Sequence, residues 1–212
     1  FELFEQTRID LLDGASYLDN SSFVLLPSIS FIKEFPSFNL FGGIHKGYTA
    51  PSSGALKVSN FALDTGLDLK SETSWNKEIG IRTQNLFSFL NFEFSFFHLD
   101  IKNLVAAGRG TAFKNLGEVE TMGTEFSSTL NFNQYPFLPT IYISHTFLNT
   151  NIKTGFLDPY YFMGTGPAID LAGNSLPYSP KNTFLLGIEQ NLYKKKINLR
   201  LDFKYVDRVF TD

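Results

Sequence analysis

Three histidines, His45, His98 and His145, are the side chains best suited to hold a metal, and no cysteine accompanies them. Metal sites draw ligands from short spacings within one or two elements. These three lie on three different strand-like segments, so no protein-bound metal and no cofactor is expected. Catalytic patterns are equally missing. There is no G-x-S-x-G, no H-E-x-x-H and no P-loop, and each of those chemistries needs its motif. Ser53-Gly54 reads as a flexible spacer, and Lys194-Lys195-Lys196 as a solvated turn. No catalytic residue is assigned, and an enzyme is not expected. The net charge of -3 supplies no basic face, which argues against a nucleic-acid partner.

The elements that must position any binding chemistry are strands. In FSFLNFEFSFFHLDIKN, residues 87–103, alternate positions read Leu90, Phe92, Phe94, Phe96 against Asn91, Glu93, Ser95. Successive side chains of a strand point to opposite faces, so one face is aromatic and the other polar. The last strand repeats this, with Ile197, Leu199, Leu201, Phe203 and Tyr205 against Asn198, Arg200, Asp202 and Lys204. About nine strands are expected, over 1–10, 23–34, 37–48, 73–83, 86–105, 116–132, 138–152, 182–192 and 196–209. No segment carries a sustained 3.6-residue apolar period, so helix is expected to be close to nil.

Alternation leaves two dry media open, a protein core or a lipid bilayer. No run of about 18 apolar residues exists, which excludes a transmembrane helix. A spanning β-barrel needs only every second side chain apolar, and a mean hydropathy of -0.06 is compatible with that. Connections alternate between short and long: tight turns at Phe35-Pro36, Gln84-Asn85, Asn133–Pro136 and Tyr193–Lys195, long stretches at 49–71 and 154–180, and a medium one at 106–113. Long loops at one end and tight turns at the other are a barrel's asymmetry. Soluble sandwiches, the competing architecture, distribute loop length more evenly.

Five short stretches then line up in order. FGGIHKGYTAPS (41–52), GLDLKSETSWNKEIGIR (66–82), FFHLDIKNLV (96–105), NLGEVETMGTEF (115–126) and LPYSPKNTFLLGI (176–188) resemble successive motifs of TonB-dependent outer-membrane receptors, in particular the ferric-citrate-type branch. Ser52 and Ser71 stand where that pattern has proline. The resemblance implies an all-β fold: an antiparallel transmembrane β-barrel segment of about nine strands, part of a larger barrel of about 22. Residues 1–212 are then a partial barrel domain, with the plug and the closing strands outside the chain.

The resemblance also implies a function: TonB-energised uptake of a ferric chelate, ferric citrate or another siderophore, across a Gram-negative-type outer membrane. The implied partners are that chelate, the remainder of the barrel and its plug, outer-membrane lipid, and the TonB–ExbB–ExbD complex acting through the absent N-terminal region. Ligand contacts are expected at His45, Lys46 and Tyr48 at the mouth, at Arg109, and at Tyr160 and Tyr161. Glu78, Arg82 and Glu125 are expected to share a polar network on the lumen wall. Gly123 is expected to let the plug or a neighbouring side chain approach that wall. The competing readings are a passive or unrelated barrel, such as a porin or lipid transporter, and a soluble β-rich carbohydrate-binding module.

Overall fold

The computed structural model describes residues 6–9, 16–19, 24–50, 70–107, 113–132, 135, 137–157, 169–192 and 196–210. A short hairpin, β1 (Gln6–Ile9) and β2 (Ser16–Asp19), forms its own two-stranded sheet. The main sheet holds β3 (Ser28–Glu34), β4 (Asn39–Thr49), β5 (Glu72–Leu86), β6 (Leu90–Ala107), β7 (Phe113–Leu130), β8 (Thr140–Leu157), β10 (Asn182–Leu192) and β11 (Ile197–Val206), with β9 (Ile169–Asp170) paired beside β8. Every neighbouring pair is antiparallel. The order β3-β4-β5-β6-β7-β8-β10-β11 is therefore a meander of hairpins, and no helix occurs among the described residues.

The register sorts the side chains into rows that cross the sheet. One row runs Leu40, Ile81, Phe94, Phe126, His145, Phe184, Tyr205. The next residue along each strand belongs to the other face, and that row runs Asn39, Arg82, Glu93, Ser127, Ser144, Leu185, Lys204. A slip of one residue in any pairing would exchange the two faces. Alternation in the sequence thus becomes one apolar wall and one polar wall.

Nothing covers the apolar wall among the described residues. Phe94 is 42% exposed and Leu201 70%. The buried hydrophobic residues among those described are Val119 and Ile152, too few for a second layer of packing. A bare apolar face of this extent marks a surface made for another apolar medium. Rings collect at the tight-turn ends: Phe35 stacks on Phe38 at 4.6 Å, Phe89 on Phe132 at 5.2 Å, and Phe137 is 89% exposed. Such a collar is the aromatic girdle of a membrane–water interface.

Several expectations shift in detail. The β5–β6 turn lies at Phe87–Phe89, not at Gln84-Asn85: Leu86 pairs with Leu90 beyond a register shift after Thr83. Asn85 sits there at φ 55 and donates its N–H to Asn91 Oδ1 at 2.6 Å. Asparagine tolerates this left-handed geometry, so the turn-like dipeptide forms a bulge. β3 begins after Pro27, which lacks the N–H that a strand interior needs. The stretch 154–180 is not all loop. β8 runs on to Leu157, and β10 pairs only with its lower half. Residues 171–181 complete the pairing of the upper half, with Leu171 N–H to Gly155 O, Gly173 N–H to Ile152 O and Ile152 N–H to Asn174 O.

Candidate functional site

The polar wall carries two shallow hollows. One, of about 230 Å³, is lined by Glu93, Ser95, Glu125, Ser127, Ser144 and Thr146. The other, of about 470 Å³, takes in Arg82, Gln84, Asn91, Glu93 and Thr129. Glu93 borders both and stands directly opposite Arg82 in the register. Glu78, Arg82 and Glu125 do share this face, but no ion pair joins them among the described residues. Glu93 is the group the sequence reading passed over; its place in the Asn91-Glu93-Ser95 alternation was the available signal.

Arg82 is held by an aromatic platform. Its guanidinium lies 5.6 Å over the Phe41 ring, a cation–π geometry. Its Nε is buried and has no hydrogen-bond partner among the described residues. A buried donor without an acceptor is costly, and this one lies too deep for a group facing the wall to reach unless the side chain shifts. The Phe41 ring in turn lies across Gly80, where any Cβ would collide with it. Gly123 serves Phe97 in the same way: an added Cβ would stand 2.7 Å from the ring's Cζ and would also meet the Phe147 carbonyl. Of the two roles expected for Gly123, the neighbouring side chain takes the space.

At the long-connection end, four of the quoted motifs meet in one knot. Asn115 Oδ1 accepts from Lys70 N–H at 2.7 Å, and Asn115 Nδ2 donates to Lys70 O and to Asn103 O, both at 2.8 Å. Asn103, at φ 56, donates through Nδ2 to Ser71 O at 3.3 Å. Glu72 Oε1 accepts from Val105 N–H at 2.6 Å, and Tyr48 Oη meets Ser71 Oγ at 2.9 Å. The motif residues therefore pin the start of β5 to the ends of β6 and β7.

On the apolar wall, a belt of charge ends the greasy stripe. β6 changes from Leu90, Phe92, Phe94, Phe96 to His98, Asp100, Lys102 on the same face. Lys153 Nζ lies 3.1 Å from Asp100 Oδ1 and 3.1 Å from Glu120 Oε1, Lys77 Nζ 3.3 Å from Asp100 Oδ2, and His98 Nε2 2.7 Å from Glu120 Oε1. His98, Asp100 and Glu120 place three potential ligand atoms within 4.8 Å of one another. The Lys153 ammonium bridges the two carboxylates where a cation would sit, so the group is built as an ion network.

The comparisons bear on this geometry directly. The family model for the TonB-dependent receptor-like β-barrel matches residues 3–211. The chain belongs to that family. No curated protein is matched by the sequence. Among solved structures, the unliganded ferric citrate transporter FecA aligns with a TM-score of 0.64 at 17% identity, covering 95% of this chain and 28% of that one. The ferric yersiniabactin uptake receptor FyuA from Yersinia pestis aligns at 0.58 and 17%, over 95% and 29%. The siderophore receptor PirA from Acinetobacter baumannii aligns at 0.58 and 19%, over 89% and 29%. At these identities the likeness is one of fold, and the chain spans less than a third of the length of each.

As a TonB-dependent receptor-like barrel segment, the sheet lies in the outer membrane of a Gram-negative-type cell. Its apolar wall faces lipid and its polar wall the interior. His45 belongs to the polar wall, opposite Asn76, with Nδ1 2.6 Å from Ser28 Oγ. Lys46 and Tyr48 alternate onto the other wall, Lys46 opposite Trp75. The structure therefore divides the three mouth residues between inside and outside. Arg109, Tyr160 and Tyr161 lie outside the described residues.

Proposed function

We propose that this chain supplies about nine strands of a larger, plugged barrel, of about 22 strands, that takes up a ferric chelate by the work of the TonB–ExbB–ExbD complex. Residues 1–212 are the partial barrel domain; the plug and the remaining strands come from the rest of the polypeptide. The observation that carries this reading is the pairing of a lipid-ready wall with a polar wall whose hollows are lined by Arg82, Glu93 and Glu125. An interior plug would meet these charges with cationic, acidic or amide groups of its own. Among the described residues β3 and β11 are the edges of the sheet, which supports continuation into further strands, since an exposed edge in a bilayer leaves backbone groups unpaired.

The cargo reading, ferric citrate or another siderophore, draws support from what the aligned transporters are named for. His45 on the polar wall and Arg109, Tyr160 and Tyr161 between the strands are the proposed ligand contacts; Lys46 and Tyr48, expected beside them, alternate onto the outward wall and are set aside. Arginine suits an anionic chelate through charge-assisted hydrogen bonds. The test is uptake of labelled ferric citrate, ferric siderophores and cobalamin by cells carrying the complete receptor, with and without TonB. TonB-dependent uptake of a ferric chelate is expected. Uptake that persists without TonB would assign the protein to the passive barrels.

A further inference from the structure

The polar wall is not uniform in how its charges are satisfied. On β5, β6 and β7 the Glu78, Glu93 and Glu125 carboxylates accept no hydrogen bond and join no ion pair among the described residues. Arg82 is the one cation of the Glu78–Glu93–Glu125 group's face that borders a hollow, and Glu93 borders both hollows. This part of the wall carries charge that waits for groups from elsewhere.

On β8, β10 and β11 the same wall answers its own charges. Glu189 Oε1 accepts from Asn198 Nδ2 at 2.6 Å, and Glu189 Oε2 accepts from Tyr142 Oη at 3.4 Å. Asp202 accepts from Arg200 Nε on both carboxylate oxygens, at 2.9 and 3.1 Å. The Arg200 guanidinium lies 5.7 Å over the Tyr142 ring. Gly187 leaves the room that Asp202 occupies, since an added Cβ would stand 2.8 Å from Asp202 Oδ1. Register sets Tyr142 opposite Gly187, Gly187 opposite Asp202 and Glu189 opposite Arg200, so these side chains form one ledge. Glu189 and Asp202 stand beside Arg200 and Lys204, which leaves the ledge neutral.

We propose that this ledge, built by Tyr142, Glu189, Asn198, Arg200 and Asp202, is the bank along which the cargo passes when the plug yields, while β5–β7 keep their hold on the plug. The inference rests on the plugged-barrel reading above and adds which side of the wall opens. Uncovering a charge costs least where the wall itself supplies the partner. A carboxylate whose partner sits on the plug loses a charge-assisted bond when the plug withdraws. A neutral ledge with its donors and acceptors engaged also holds a passing solute weakly enough to release it.

The test is thiol labelling of the complete receptor, carrying a single cysteine, in cells exposed to a membrane-impermeant maleimide as large as a ferric chelate. Ser127→Cys and Lys204→Cys report the two parts of the wall from exposed positions on one register row. Thr183→Cys, on the polar wall of β10 opposite Thr146, takes the place of K204C should that variant fail to assemble. Ferric citrate, a ferric hydroxamate and a ferric catecholate are supplied in turn, with and without TonB. Labelling follows the time a cysteine spends uncovered, so a rise of about tenfold is expected in K204C and T183C when TonB and a transported chelate are both present, with S127C unchanged. An equal or larger rise in S127C overturns the proposal, and so does a flat response of every variant to all three chelates. Rapid labelling of S127C and K204C alike without TonB would mean that no plug fills the barrel. That outcome removes the plugged-barrel reading together with this one and is distinct from the other two.

Discussion

The side-chain amide of Asn115 brackets the Lys70 peptide, accepting from its N–H at 2.7 Å and donating to its C=O at 2.8 Å. Forty-five residues separate the two, and the contact joins β7 to the foot of β5 across β6. Asn115→Ala removes both bonds and the one to Asn103 O. A loss of about 1–3 kcal/mol is expected, confined to the outer rim. Hydrogen exchange at Lys70 through Glu72 and at Val105 should speed up while the lower wall stays protected. Unchanged exchange at those amides would show that the knot does not hold the rim.

Gly123→Ala tests the inner wall. The new Cβ meets the Phe147 carbonyl and the Phe97 ring, and backbone cannot swing aside as a flexible side chain can. About 1–3 kcal/mol of destabilisation is expected, read as a lower unfolding temperature of the detergent-extracted barrel. Removing the ring in the double variant Gly123→Ala with Phe97→Leu should recover part of it. No loss in the single variant would contradict the close approach.

Charge on the outer wall should be far less tolerated than charge on the inner one. Leu201→Arg places a cation toward hydrocarbon, at a cost of about 2–4 kcal/mol near the bilayer midplane. Ser127→Arg lies on the polar wall at an exposed position opposite Glu93 and should assemble normally. The heat-modifiable shift of folded barrels on gels separates the two outcomes, and equal assembly would count against the two-walled account.

Acid should loosen the outer end of β11. Asp207 accepts from Asn182 Nδ2 and from Tyr205 Oη, each at 2.7 Å. These bonds, the one from Asn182 first, hold its carboxyl below the usual carboxylate range. A depressed value in the folded state means that the stabilisation is present at neutral pH and fades as pH falls below about 4. The protection factor at Tyr178, whose N–H bonds Phe210 O, should therefore fall on acidification in the wild type. In Asp207→Asn it should be low at neutral pH already and respond little to acid.

Strand positions and their two faces were legible because period-2 alternation is a local property: Phe92 through Phe96 and Leu199 through Tyr205 announce their walls without reference to any neighbour. What was not legible depended on partners distant in sequence. Asn103 and Asn115 appear in quoted motifs, but their shared target, the peptide at Lys70, is visible only once β5, β6 and β7 are in register. β9 and the segment 171–181 have no alternation of their own; they follow the upper half of β8 because that strand is longer than β10. The switch from Phe96 to His98 was present in the sequence, and its meaning as the edge of the hydrocarbon emerges only when Lys77, Glu120 and Lys153 arrive beside it.

The most direct test exploits the lack of cysteine in this chain. Single cysteines at Phe94, Leu201, Ser95 and Asp202, spin-labelled in the membrane-embedded receptor, report the medium that each side chain meets. The account predicts that labels at Phe94 and Leu201 collide with dissolved oxygen and are shielded from a polar nickel chelate. The label at Asp202 should show the reverse, and one at Ser95, which the wall itself buries, should be shielded from both. Labels at Phe94 and Leu201 that are inaccessible to oxygen, as inside a packed protein core, would contradict it.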